Sequence, residues 1–181
     1  MELKEITLRE DVVYDCPVFK VTEGEVKLPN GKTVSRNRVL HNGGCGVLPI
    51  TPEGEVILVE QYRYGIGTLT YEIPAGKLEK GEAPETCALR ELKEEVGGVT
   101  HGLQSLGTIA VTPAYDSEII YIYMAECGEF LPQHLDEDEF LHVHKMPLEQ
   151  AVKLVLSGDI TDAKTQIALL KANEILKKRM S

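Results

Sequence analysis

The chain has 181 residues, 43% hydrophobic and 27% charged, so it is long enough to bury one substantial core and too apolar to be disordered in its main state. Lys and Arg number 19 against 29 Asp and Glu, and the net charge of −10 opposes general attraction to nucleic-acid phosphate or anionic lipid. No apolar run reaches the roughly 18 residues of a membrane span, and Met1-Glu2-Leu3-Lys4-Glu5 carries no apolar signal core, so the cytoplasm is the expected compartment.

In chain order, Val12 to Val21 is rich in β-branched and aromatic residues and predicts a strand. Glu25 to Leu28 and Thr33 to Leu40 flank Pro29-Asn30-Gly31-Lys32, a hairpin signal because Asn and Gly tolerate positive φ. His41-Asn42-Gly43-Gly44 marks a break, which divides the chain into a small β unit at 1–41 and a main domain at 42–181. Cys45 to Thr51 and Glu55 to Gln61 predict two strands joined by a turn at Pro52-Glu53-Gly54, the second of them central because Ile57-Leu58-Val59 is apolar on both faces. Thr68 to Ile73 adds a short strand. Pro84 to Glu95 predicts a helix, with Pro84 in its first turn and Gly97-Gly98 stopping it. Leu106 to Val111, Glu118 to Met124 and Leu141 to Lys145 return to strand, and Pro147 to Leu156 and Asp162 to Lys178 show helical apolar spacing. This mixture predicts an α/β fold with a mixed sheet between helices. The four cysteines, Cys16, Cys45, Cys87 and Cys127, form no C-x-x-C pair and are read as reduced thiols.

Glu91, Glu94 and Glu95 fall at i, i+3 and i+4 of the predicted helix, so three like charges share one face about 5–6 Å apart. Hard oxygen donors crowded in this way suit Mg²⁺ or Mn²⁺, which would relieve the repulsion. Gly76 and Gly81 bracket a loop able to bring backbone groups close, and Arg90 is placed to brace a carboxylate. An acidic helix alone is more often a solvated face; the full spacing is what changes the odds. His142 and His144 alternate on one strand face and are read as half-exposed residues in preference to zinc ligands. Cys87 is expected to pack as a small apolar group.

The string Gly76, Glu82, Arg90-Glu91-Leu92, Glu94-Glu95, Gly97 resembles the Nudix hydrolase signature, with Gly98 where the family usually carries a bulky aliphatic residue. Gln61-Tyr62-Arg63, Glu72-Ile73-Pro74-Ala75-Gly76, Thr112-Pro113 and Ser117-Glu118-Ile119-Ile120 are similar to the ADP-ribose pyrophosphatase branch, as are Asp136 to Phe140 and Asp162 to Thr165. The resemblance implies a Nudix-type α/β/α sandwich with an N-terminal antiparallel β unit used in pairing, hence a homodimer. It implies metal ligation by the Ala75 carbonyl and by Glu91, Glu94, Glu95 and Glu139. Glu139 would orient or deprotonate the attacking water, with Glu94 a further proton acceptor and Glu137 the substitute. Arg63 and Arg36 would hold substrate phosphates or neighbouring groups, with Glu118 near the site.

Glu91, Glu94, Glu95 and Glu139 together would bring four negative charges to one cleft, which a diphosphate ester enters only with roughly two to three Mg²⁺ ions (Mn²⁺ as substitute). The activity implied is hydrolysis of the pyrophosphate of ADP-ribose to AMP and ribose 5-phosphate. Another nucleoside diphosphate sugar, such as a GDP-sugar, and a non-catalytic ADP-ribose sensor are the alternatives; the intact Arg90-Glu91 and Glu94-Glu95 pairs oppose the sensor. Some relatives stack adenine on Trp, which this chain lacks; either Tyr14, Phe19 or Tyr62 substitutes, or the base is held in another way.

Overall fold

The computed structural model describes residues 2–180, and the chain divides into two compact units. The first runs to Gly43 and includes Ala110–Ile119; the second comprises Gly44–Ile109 and the chain from Ile120 onward.

The first unit is an antiparallel sheet of β1 (Ile6–Asp15), β2 (Lys20–Lys27) and β3 (Thr33–Leu40), in that order. The expected single strand over Val12 to Val21 is in fact the end of β1, a turn and the start of β2. Pro17 has no N–H to give a ladder, and the turn closes through Cys16 N–H to the Phe19 carbonyl at 3.1 Å. The hairpin forms at the expected place, but of the two turn residues Gly31 alone takes positive φ, at 84°, and the turn closes through Gly31 N–H to the Leu28 carbonyl at 2.9 Å. Residues 110–119 return to the far side of β3, where Val39 and Asp116 make a parallel bridge. β1 is exposed along its whole length, including Ile6, Leu8, Val12, Val13 and Tyr14.

The second unit holds an eight-stranded mixed sheet. Its central path is β11 (Leu141–Pro147), β5 (Glu55–Arg63), β4 (Gly44–Ile50), β10 (Ile119–Phe130) and β8 (Gly98–Thr100). β6 (Thr68–Glu72) pairs with β5, β7 (Ala75–Lys77) with β4, and β9 (Gln104–Ala110) with β10. β4 and β10 are parallel, whereas β5 is antiparallel to both β6 and β11.

Strand alternation sorts the apolar residues into two cores. Cys45, Val47, Ile57, Val59, Tyr123 and Ala125 face helix α1 (Pro84–Val96), joined there by Cys87, Ala88, Leu92 and Val96. Leu48, Ile50, Val56, Leu58, Ile122 and Met124 form the opposite core with residues of α2 (Leu148–Ser157) and α3 (Ala163–Met180). Period-two alternation in β4, β5 and β10 thus builds a helix–sheet–helix sandwich, and burying each large aliphatic side chain contributes about 1.5–3 kcal/mol. All four cysteines are free, as expected, and Cys87 is fully buried. Cys45 and Cys87, 42 residues apart, bring their sulfurs within 2.7 Å between β4 and α1.

One local irregularity positions the site. β4 and β5 pair at Ile50↔Val56 beside their turn and then part. The chain after β6 enters the gap: Val47 N–H donates to the Pro74 carbonyl at 2.9 Å, and β7 continues along Gly44–Gly46. Residues 74–77 are thereby fixed along β4, within the sheet and next to α1.

Candidate active site

Helix α1 is built as its sequence dictates. Pro84 opens it, Glu85 lies in the first turn, and Gly97 ends it in the left-handed conformation at φ 66°, its N–H bonding the Leu92 and Lys93 carbonyls. A Cβ on Gly97 would overlap the Leu131 backbone, so both conformation and space call for glycine. Gly98, where a bulky residue was expected from the resemblance, leaves room for Leu92; a Cβ there would lie 2.6 Å from the Leu92 side chain.

The glutamates on the face of α1 have different fates. Glu91 and Glu95 are buried, at 6% and 3% exposure, whereas the Glu94 side chain is 40% exposed. Arg90 ties the group together. Its Nη1 donates to Glu91 Oε1 at 2.6 Å and to Glu94 Oε2 at 3.1 Å, and its Nε to Glu82 Oε1 at 3.1 Å. Arg90 therefore braces carboxylates, and the signature's Glu82 serves as its anchor. Glu95 Oε2 accepts the Ala75 N–H at 3.2 Å, which sets the 74–77 segment against the helix. A Cβ on Gly76 would occupy the place of the Glu91 carboxylate.

One arginine does not neutralise this cluster. Burial, followed by repulsion from Glu91, pushes Glu95 up to about 8, with Glu139 adding and the Ala75 N–H and Arg63 opposing. Burial likewise raises Glu91, against the pull of Arg90. The charge of Glu139 adds to the repulsion on both residues. Its loop is tethered to the end of α1: Leu131 N–H bonds the Gly97 carbonyl at 2.8 Å, His134 N–H bonds the Glu94 carbonyl at 2.9 Å, and Gln133 bonds the Glu95 carbonyl. The Glu139 carboxylate accepts the Asp136 N–H at 3.2 Å. Glu137 is exposed on the same loop.

Arg63 ends β5, and its guanidinium grips Glu72 with Nε and Nη2, both at 2.6 Å. Glu95 and Asp162 both act on its charge. Arg36 and Glu118 lie in the first unit. Arg36 pairs with Glu5 at 2.9 Å and Glu118 with His41 at 3.3 Å. That unit carries its own open cleft of about 700 Å³, lined by Arg9, Glu10, Arg36, Arg38 and Tyr115 among others. Tyr14 and Phe19 pack on each other, ring centroids 6.0 Å apart, and Tyr62 is exposed. His144 bonds Glu60 at 3.1 Å and meets Tyr71 edge-on, so it is engaged as a strand residue.

Beneath Arg63 lies a polar group that neither periodicity nor motif spacing announces. Glu72 is 1% exposed and also takes Lys164 Nζ and Thr70 Oγ1, both at 2.5 Å. Asp162 caps α3 by accepting the Thr165 N–H at 2.9 Å and holds Lys164 at 3.0 Å, while Thr165 Oγ1 accepts the Ile73 N–H at 2.8 Å. An Asp three residues before Thr at a helix start was the available sequence signal for the cap; nothing local pairs Lys164 with Glu72.

The donor set suits a divalent cation: two buried carboxylates short of positive charge, further glutamates at hand and a backbone segment held beside them. Among the described residues, no three His, Cys, Asp or Glu side chains already converge at ligand spacing. Arg90 Nη1 occupies one oxygen each of Glu91 and Glu94 that a cation would otherwise use.

The family model for the NUDIX domain matches residues 40–168. The chain is 41% identical over 169 residues to "ADP-ribose pyrophosphatase" of Bacillus subtilis (strain 168), covering 92% of this chain and 91% of that protein. It is 39% identical over 179 residues to "Methanol dehydrogenase activator" of Bacillus methanolicus, covering 96% of each. The fold superimposes on a crystal structure of an ADP compounds hydrolase with a TM-score of 0.83 at 26% identity, covering 99% of this chain and 98% of that one. No helix among the described residues is long and apolar enough to cross a membrane.

Proposed function

Because the chain belongs to the Nudix family, whose hydrolases generally use divalent metal ions, we propose that it hydrolyses the pyrophosphate bond of a nucleoside diphosphate sugar, with ADP-ribose the first substrate and AMP and ribose 5-phosphate the products. The observation that carries this reading is the pair of buried, under-neutralised carboxylates Glu91 and Glu95, the first packed on Gly76 and the second bonded to the Ala75 N–H. The Ala75 carbonyl, Glu91, Glu94, Glu95 and Glu139 would hold Mg²⁺, or Mn²⁺, with about two or three ions per site. When bound, the ions supply charge neutralisation, polarisation of phosphoryl oxygens and a lowered pKa for a coordinated water.

The chain's own residues do the rest. Arg90 fixes the orientation of Glu91 and Glu94 from behind. Arg63 offers guanidinium hydrogens to the diphosphate, and Nη1 donates to no protein acceptor among the described residues. Glu139, brought to the cluster by its tethered loop, accepts the proton of the attacking water, with Glu94 or Glu137 as the substitute base. Arg36 and Glu118 are assigned as further substrate contacts. The exposed apolar face of β1 supports a homodimer, for which light scattering should give about twice the chain mass of 20.0 kDa.

The deciding experiment is a panel of ADP-ribose, ADP-glucose, GDP-mannose, NADH and diadenosine polyphosphates with Mg²⁺ and with EDTA, products resolved. ADP-ribose should rank first and turnover should vanish in EDTA. Undiminished turnover in EDTA would overturn the reading. A second role, suggested by the Bacillus methanolicus relative, is activation of a methanol dehydrogenase; an assay of that enzyme with and without the chain tests it.

A further inference from the structure

Glu72 lies on the same sheet face as α1, since it pairs in register with Val59, a residue of the α1-side core. Arg63 pairs with Thr68, two residues beyond Gln61↔Thr70 and four beyond Val59↔Glu72. Its side chain reaches back along the strand to make both contacts with Glu72. A long, partly exposed arginine otherwise samples many rotamers, so the forked pair selects one direction, the one in which Arg63 and Glu95 act on each other's charge.

The Glu72 side chain accepts four hydrogen bonds, two from Arg63, one from Thr70 and one from Lys164. Lys164 is itself paired with Asp162, so the group balances two cations against two carboxylates. Glu72 thus stays ionised in a buried place, and Arg63 is held without giving up all of its donors.

We propose that Glu72 is a positioning residue for the diphosphate site, aiming the Arg63 guanidinium at the substrate phosphates while Lys164 and Thr70 lock Glu72 in place. This rests on the reading above, in which Arg63 meets those phosphates. Glu72 touches no substrate itself; its effect passes through Arg63. A purely structural ion pair would instead change stability and leave substrate affinity alone.

The test is a double-substitution cycle with Glu72→Gln and Arg63→Ala, following KM and kcat for ADP-ribose with Mg²⁺, thermal melting, and the Arg63 Nε–H signal by nitrogen-15 NMR. Glu72→Gln should raise KM about tenfold with kcat within about twofold, and should speed solvent exchange of the Arg63 Nε–H. In the Arg63→Ala background the same substitution should change KM less than about twofold. Arg63→Lys, which leaves the Glu72, Lys164 and Thr70 contacts in place but removes the fork, should reproduce the rise in KM and covers the case of Glu72→Gln failing to fold. An unchanged KM in Glu72→Gln, effects that multiply in the double variant, or wild-type affinity in Arg63→Lys would each overturn the proposal. If the wild-type protein does not turn over ADP-ribose, that reading fails separately, and calorimetry with inorganic pyrophosphate and Mg²⁺ decides the positioning role. Weaker binding by Glu72→Gln than by wild type then sustains it, and equal binding overturns it.

Discussion

Two buried glutamates in the same unit, Glu72 and Glu95, have opposite surroundings. For Glu72, burial alone would raise the carboxyl, but Arg63, Lys164 and Thr70 outweigh it and hold it at about 2. Glu95 has a backbone N–H and the charge of Arg63, which makes no hydrogen bond to it, against burial and two other glutamates, and it rises to about 8. Nearly equal exposure therefore gives opposite electrostatics, depending on whether the fold supplies matching cations. A matched carboxylate holds neighbouring elements together; an unmatched one is unfavourable for the fold and favourable for capturing cations.

The comparison breaks most sharply at Glu95. Glu95→Gln should lower turnover on the order of 10³-fold while the metal-free melt stays level or rises, because a like-charge contact is relieved. A fully active variant would remove Glu95 from the ligand set. Gly76→Ala should follow at about a hundredfold, since the new methyl displaces the Glu91 carboxylate while the surrounding backbone stays in place. Circular dichroism showing intact folding alongside the kinetic loss would establish that separation.

On the matched side, Lys164→Met should cost about 2–3 kcal/mol and lower Tm by roughly 5–10 °C, because Glu72 remains buried with one of its cations gone. Acid should act on the two carboxylates in opposite senses. The folded pKa of Glu72 is depressed, so its contribution is present above the ordinary carboxylate pKa and is lost as pH falls from there towards 2. The folded pKa of Glu95 is raised, so in EDTA its contribution is full below the ordinary carboxylate range and declines as pH rises to about 8. Melts across pH in EDTA should show both slopes, and Glu95→Gln should flatten only the second. The smallest effect is the Mg²⁺ shift: at saturating ion, wild-type Tm should rise by a few degrees and Glu95→Gln by less.

Much of this arrangement is written in local sequence. The helix from Pro84 to its stop at Gly97, the i, i+3, i+4 glutamates, the turn at Pro52-Glu53-Gly54 and the continuous apolar run that makes β5 central all follow from short-range rules. What short-range rules leave out is contact across the chain. Nothing near Glu72 announces that Lys164 lies 92 residues away in sequence and 2.5 Å away in space. Nothing near Cys45 announces Cys87. The strand expected over Val12–Val21 shows a local failure of a different kind, where β-branched composition outweighed a single proline in the reading but not in the fold.

The tether at residues 131–134 joins the Glu139 loop to the end of α1, and two of its three bonds run from backbone to backbone. Such an anchor is largely indifferent to which side chains occupy those positions. Changes within residues 135–138 then bear on Glu137, Glu139 and the Asp136 N–H contact before they bear on the helix. Anyone wishing to retune what this scaffold accepts should start with libraries in that short stretch.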